Sequence, residues 1–340
     1  MDLRVHQGDL IAATSGRSFW VFDDLSLIRQ YKNEEGFKLF QPENPMLVNG
    51  YSEMDGSTTD GTNPYRGVNP ATGFMIYYQL PELKSSESVM MEIKDAQGNL
   101  VRSFSSIKDT TNNTQLSDPT LTKLKGLNRF VWNLRYPTIA SVPGVQIEGS
   151  FRGHKASPGN YSLILKKGDQ TSTVNFEILA NPLYPTDAKT YQEYHTVMSS
   201  MEAEVDKMHK MIIALDAKRK QLDQLLSTLP ADEKHNAIKK EGQALSQKMK
   251  QWDEDMIQRK SKAYDDVENF PNKFTANYMF LINATESDIP KVNQPSLDRM
   301  KELNGQWSAL QARANELMNN DIPTFNTKLW NAGVGAVWTK

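Results

Sequence analysis

The chain contains no cysteine. Disulfides, thiol nucleophiles and cysteinyl metal sites are therefore excluded, although this absence does not separate a reducing compartment from an exported one. No apolar run approaches the roughly 18 residues that a conventional membrane-spanning helix requires. The opening residues, Met1-Asp-Leu-Arg-Val-His6, lack the apolar core of a signal peptide. An excess of charge is missing too: 39 Lys and Arg against 41 Asp and Glu leave a net charge of −2. No global field thus favours nucleic acid or an anionic lipid surface, and neither partner is expected. What is present is 340 residues, 38% of them hydrophobic, enough for the cores of two or three domains.

Leu10 to Thr14 and Ser18 to Phe22 are β-rich runs separated by a Ser-Gly-Arg turn, and Asp23-Asp24 closes the second with turn chemistry. They read as a single hairpin with no sheet around it. Two strands alone are marginally stable in water. The hairpin is therefore expected either to dock on a neighbouring domain or to belong to a sheet whose other strands lie elsewhere.

The wording of this segment is specific: Asp9-Leu10, Ala13-Thr14, Gly16-Arg17-Ser18-Phe19-Trp20-Val21, Asp23-Asp24-Leu25, then Leu27-Ile28-Arg29-Gln30. It resembles the closing blade of large β-propellers with BNR (Asp-box) repeats and a sortilin-like propeller, found in secreted bacterial proteins commonly labelled glycosyl hydrolases. The resemblance implies that residues 1–30 are the remnant of a last blade and that the upstream propeller of the same parent is its partner. It also implies an exported parent, periplasmic, cell-surface or extracellular, whose signal peptide lies further upstream.

Residues 31–72 read as a linker, since Gln41 to Thr72 is dense in Pro, Gly, Asn, Ser and Thr and poor in groups that could build a core. Over 73–181 short β-runs follow: Phe74–Leu80, Val89–Lys94, Leu100–Phe104, Asn128–Arg135, Tyr161–Leu165 and Thr173–Leu179. Six or so strands in roughly 100 residues favour an antiparallel β-sandwich of immunoglobulin or fibronectin III kind. Over 182–322 the period becomes helical. Tyr194, Met198, Met201, Val205, Met208, Ile212 and Leu215 form one heptad seam. Ile238, Leu245, Met249, Trp252 and Met256 form a second, and Met300, Leu303, Trp307, Leu310, Ala314 and Leu317 a third. Asp232-Glu233 suits a helix start, and Ser296 is the expected N-cap of the third helix. The fold class expected is thus multidomain β plus α: a last-blade hairpin, a β-sandwich and an antiparallel bundle of about three helices. Residues 323–340 read as a tail, and they resemble the family's usual tail.

Candidate chemistry is sparse. The five histidines, His6, His154, His195, His209 and His235, show no metal-ligand spacing, so neither a metal nor a cofactor is expected. His195 and His209 lie fourteen residues apart on one helix and cannot share an ion. Asp23 and Asp24 are adjacent in a turn and read as caps rather than as a paired acid and base. Lys218-Arg219-Lys220, flanked by Asp216 and Asp223, reads as a solvated helix face. Tyr77, Tyr78, Trp132, Tyr136 and Phe151 could stack a sugar only with one ring face free, and alternation puts Tyr77 and Tyr78 on opposite faces. The resemblance adds Arg17, because sialidase-like propellers bind carboxylates through arginines. Arg17, Tyr77 and Tyr78 are the ligand candidates, and no residue is assigned a catalytic role. The expected function is a non-catalytic structural or accessory region of a secreted glycosyl-hydrolase-like propeller protein. The alternatives are a contribution to a sialidase-like hydrolase site in the parent, and an adaptor that binds carbohydrate or protein.

Overall fold

The computed structural model describes residues 1–6, 8–22, 24–32, 35–47, 73–108, 118–263, 265–286 and 290–337. Asp23 and the greater part of the expected linker, 48–72, lie outside them. The chain divides into two compact units. One runs to Pro137 and takes up again over Gly153–His195, and the other contains Thr138–Arg152 and Thr196–Lys340. Among the described residues helix content is 42%, and the strands form three small antiparallel sheets.

In the first unit, β1 (Asp2–His6), β2 (Asp9–Ala13) and β3 (Phe19–Phe22) make a three-stranded sheet in that order. The expected hairpin is β2–β3, and β1 adds a strand to it: Asp2-Leu-Arg-Val-His6 alternates apolar with polar, as a strand does. Asp24, at φ 57°, then caps the short helix α1 (Leu25–Gln30) by accepting from the Ser26 N–H at 3.0 Å.

Strand β4 (Lys38–Leu39) pairs with β5 (Phe74–Leu80), and β5 with β8 (Gly126–Trp132). A four-stranded sheet has the order β10 (Gln170–Ile178), β9 (Gly159–Lys167), β6 (Met90–Asp95), β7 (Leu100–Ser105). Alternation sends Phe74, Ile76 and Tyr78 of β5, Met91 and Ile93 of β6 and Leu163 and Leu165 of β9 into one common core. Phe74 stacks on Phe176 at 4.3 Å between centroids and meets Trp132 edge-on.

The linker expectation needs a correction over residues 38–47. Beyond the β4 pairing, Leu47 donates to the Leu179 carbonyl at 2.9 Å and Leu179 to that of Pro45 at 2.8 Å. Leu39 and Phe40 are buried. A Pro-rich composition does not prevent a segment from pairing at a sheet edge, where one row of N–H groups needs no partner.

The second unit is helical. It contains α2 (Ala188–Thr228), whose residues up to His195 belong to the first unit, then α3 (Glu233–Met256), a 3₁₀ turn at Asp265–Asn269, α4 (Phe274–Thr285), α5 (Gln294–Glu316) and α6 (Ile322–Asn331). All seven residues of the first seam are buried, as are Leu245, Met249, Trp252 and Met256 of the second and Leu303, Trp307, Ala314 and Leu317 of the third. Asp232 caps α3 by accepting from the His235 N–H at 2.9 Å. The cap of α5 is Asn293 rather than Ser296: its side chain accepts the Ser296 N–H at 2.8 Å, and Pro295 occupies the first turn, where a missing N–H costs nothing.

Two helices exceed the three expected. α4 is apolar on most of its surface, with Phe274, Tyr278, Met279, Leu281 and Ile282 buried, so no polar face reveals its period. α6 occupies the start of the expected tail. It follows α5 through one π turn, Leu317–Asp321, which absorbs Pro323 in the first turn of α6. The segment Thr138–Arg152, counted in the expected sandwich, belongs to the helical unit. There Ile139, Val142, Val145, Ile147 and Phe151 are buried, and the Ser150 N–H donates to Asn283 of α4 at 2.8 Å.

Candidate functional site

The register of the N-terminal sheet aligns Leu3, Ala12 and Trp20 in one row across the strands and Val5, Leu10 and Phe22 in the next. Residues of one parity share a face, so these six apolar side chains cover one side of the sheet. The four on the outer strands are largely exposed, Leu3 66%, Val5 58%, Trp20 61% and Phe22 51%, while Leu10 and Ala12 on the central strand are half-buried. The opposite side carries Arg4, Ile11 and Val21 in one row and Asp2, Ala13 and Phe19 in another. Isolated exposed apolar residues are ordinary on protein surfaces, whereas a contiguous apolar face marks an interaction surface.

At the end of this sheet three carboxylates converge. The Asp24 N–H donates to Asp9 at 2.9 Å, and Asp24 accepts from the backbone and hydroxyl of Ser26. Glu43 arrives from the segment leading to β5 and lies against Gly8, where a Cβ would come within 2.2 Å of Glu43 Oε1. Gly8 also has φ +91°, a left-handed backbone that favours glycine, whereas the Glu43 carboxylate, at the end of a flexible side chain, could move aside. Burial, then Asp24, then Asp9 push the Glu43 carboxyl above its usual range, and Arg29 opposes them. Asp9 and Asp24 are engaged in local backbone bonding. Glu43 is the member of the trio whose carboxyl is shifted upward, and its side chain lies at an exposed position.

Arg17 and the two tyrosines lie on different sheets. Arg17 is exposed in the β2–β3 turn, where its carbonyl accepts the Trp20 indole N–H at 3.0 Å. Tyr77 is half-buried in β5. Tyr78 is a core residue, and its hydroxyl donates to the Thr122 carbonyl at 2.6 Å. A ring enclosed on both faces has none to offer a sugar, and the same holds for Trp132 and Phe151, also buried. Arg219 of the basic run pairs with Asp216 at 2.9 Å and Asp223 at 3.0 Å.

Two of the histidines are buried. His209 donates from Nδ1 to the Ala140 carbonyl at 2.6 Å, while Nε2 has no partner among the described residues. Desolvation pulls its pKa below the ordinary value. The unfolded chain takes up a proton near pH 6.5 and the folded one only at lower pH. Stability is therefore full above about pH 6.5 and is lost as the pH falls from there towards the lowered native value, by up to about 1.4 kcal/mol per pH unit. Denaturation midpoints measured against pH should show this slope. In His209→Asn, whose amide keeps a donor and does not titrate, the slope should flatten, and an unchanged slope would refute the assignment. The other buried histidine, His154, meets His195. Among the described residues no group of three or more His, Asp or Glu is placed to hold a metal, and no helix is long and apolar enough to cross a membrane.

The chain matches no family model, no curated protein and no solved structure.

Proposed function

We propose that this chain is a non-catalytic, C-terminal accessory region of an exported propeller protein of glycosyl-hydrolase-like type. In this reading its first sheet is a last-blade remnant, the two remaining sheets form an immunoglobulin-like sandwich, and the helices form a docking or spacer bundle. The observation that carries the reading is the apolar face of Leu3, Val5, Leu10, Ala12, Trp20 and Phe22, whose four outer-strand members are more than half exposed. A blade packed between neighbouring blades needs such a face, and a free-standing sheet does not.

The test reads the coding sequence upstream of Met1 in frame, then compares amide exchange over residues 2–22 in this chain and in the extended product. In-frame blades together with at least about tenfold slower exchange at β1 and β3 support the reading. A frame without blades, or unchanged exchange in their presence, overturns it. One observation favours a second reading, a contribution to the parent's hydrolase site: the upward-shifted Glu43 carboxyl beside Asp9 and Asp24. That reading requires Glu43→Gln to abolish aryl-glycoside hydrolysis by the extended product.

A further inference from the structure

His154 and His195 meet ring to ring, with His154 Nε2 and His195 Nδ1 2.8 Å apart. The Tyr136 ring stacks on His154 at 4.4 Å and 11° and reaches His195 at 5.0 Å, while Tyr194 meets His154 edge-on. His154 is 1% exposed. These residues come from three stretches of the first unit. Each stretch ends within two residues of a point where the chain leaves that unit: after Pro137, before Gly153 and after His195. The Tyr136 N–H donates to the His154 carbonyl at 2.9 Å, Arg135 Nη1 to that of Gly153 at 2.9 Å, and the Ala156 N–H to that of Leu134 at 2.7 Å.

We propose that the His154–His195 pair is an acid-sensitive clasp that holds these three chain ends together within the first unit. A neutral imidazole has one donor and one acceptor nitrogen, and an imidazolium has two donors and no acceptor. The ring-to-ring bond therefore survives uptake of one proton and cannot survive two. Two like charges about 3 Å apart, one of them buried, also repel. Ionisable groups that meet the pair include the phenols Tyr136 and Tyr194, in ring contact, and the backbones of Arg135 and Lys155 form an isolated antiparallel bridge next to Tyr136 and His154 in sequence. Glu193 and Lys189 sit on exposed positions of the same helix.

The experiment is amide exchange of the full chain at about pH 7.5 and about pH 5, either side of ordinary imidazole titration, corrected for intrinsic rates. Protection at Tyr136, Ala156 and 191–195 should fall about tenfold or more in acid. In His195→Gln, where the half-buried site keeps a polar side chain that takes up no proton, this acid-dependent loss should vanish. Titration of His209 is retained in that variant and serves as an internal control. Equal loss in both proteins, or none in the wild type, overturns the clasp. Long-range proton–nitrogen spectra of the wild-type histidine rings give a measurement that needs no variant. They should show one shared N–H at neutral pH and four ring N–H groups in acid, and a pair still bonded at about pH 5 would refute the proposal.

Discussion

Replacing Trp252 with alanine should destabilise the helical unit by about 3–5 kcal/mol, the range for truncating a fully buried aromatic. Trp252 is 0% exposed, and its indole N–H donates to the Leu310 carbonyl of α5 at 2.8 Å. The seam around it contains Leu245, Met249 and Met256 on α3 and Leu303, Trp307 and Ala314 on α5. Deleting the ring removes its transfer free energy, leaves a void that packed helices cannot close and strips a hydrogen bond from the half-buried Leu310 carbonyl. Urea unfolding followed by far-ultraviolet circular dichroism measures the loss. Trp330→Ala provides the contrast, since that ring is 77% exposed and its removal should stay within about 0.5 kcal/mol. A loss below about 1 kcal/mol for Trp252→Ala would mean that this seam is not the centre of the core.

The second large effect concerns a buried cation. Arg102 pairs with Ile93 across β6–β7 and so points to the same side as Phe104 and Met91, over the Phe104 ring at 5.2 Å. Asp118 accepts from Nη2, and Nε and Nη1 have no partner among the described residues. Burial draws the Arg102 guanidinium below its ordinary value, against the pull of Asp118. Removing one partner of a buried pair strands the other charge. Because the Asp118 side chain is 42% exposed, solvent screens part of the effect, and Asp118→Ala should cost about 2–3 kcal/mol. Arg102→Leu should be neutral or stabilising, since it removes both the charge and two nitrogens whose N–H groups have no partner among the described residues. Denaturant midpoints of the two variants and their combination decide the matter. An inexpensive Asp118→Ala, or a costly Arg102→Leu, would show that the guanidinium is solvated.

What could be read in the residues was periodic and local. Phe74–Leu80 carries its two-residue period openly, and the Tyr194 to Leu215 seam its heptad, so β5 and α2 were legible. α4 was not, because a helix buried on most sides loses the polar stripe that defines its phase, and α6 was hidden behind Pro323. The trio of Asp9, Asp24 and Glu43, and the meeting of His154 with His195 across 41 positions, depend on tertiary folding and left no local signal. Arg17 and Tyr77 were found as single residues on different sheets, and spacing alone could not have shown that Tyr78 faces the core.

The π turn between α5 and α6 bears on how this helix tolerates insertions and deletions. Buried positions fall at Leu303, Trp307, Ala314 and Leu317, then at Ile322, Phe325 and Leu329, so the stripe takes one step of five residues where an α-helix takes three or four. The surplus residue is housed in the wide turn rather than passed down the helix. Losing one residue within that turn would return the step to four and leave Ile322, Phe325 and Leu329 facing inward. Losing one about three turns earlier, between Leu303 and Trp307, would rotate everything upstream by about 100° relative to the α6 stripe. Length variation in this helix is therefore expected to concentrate at Met318 to Asp321, where the backbone already holds the spare residue.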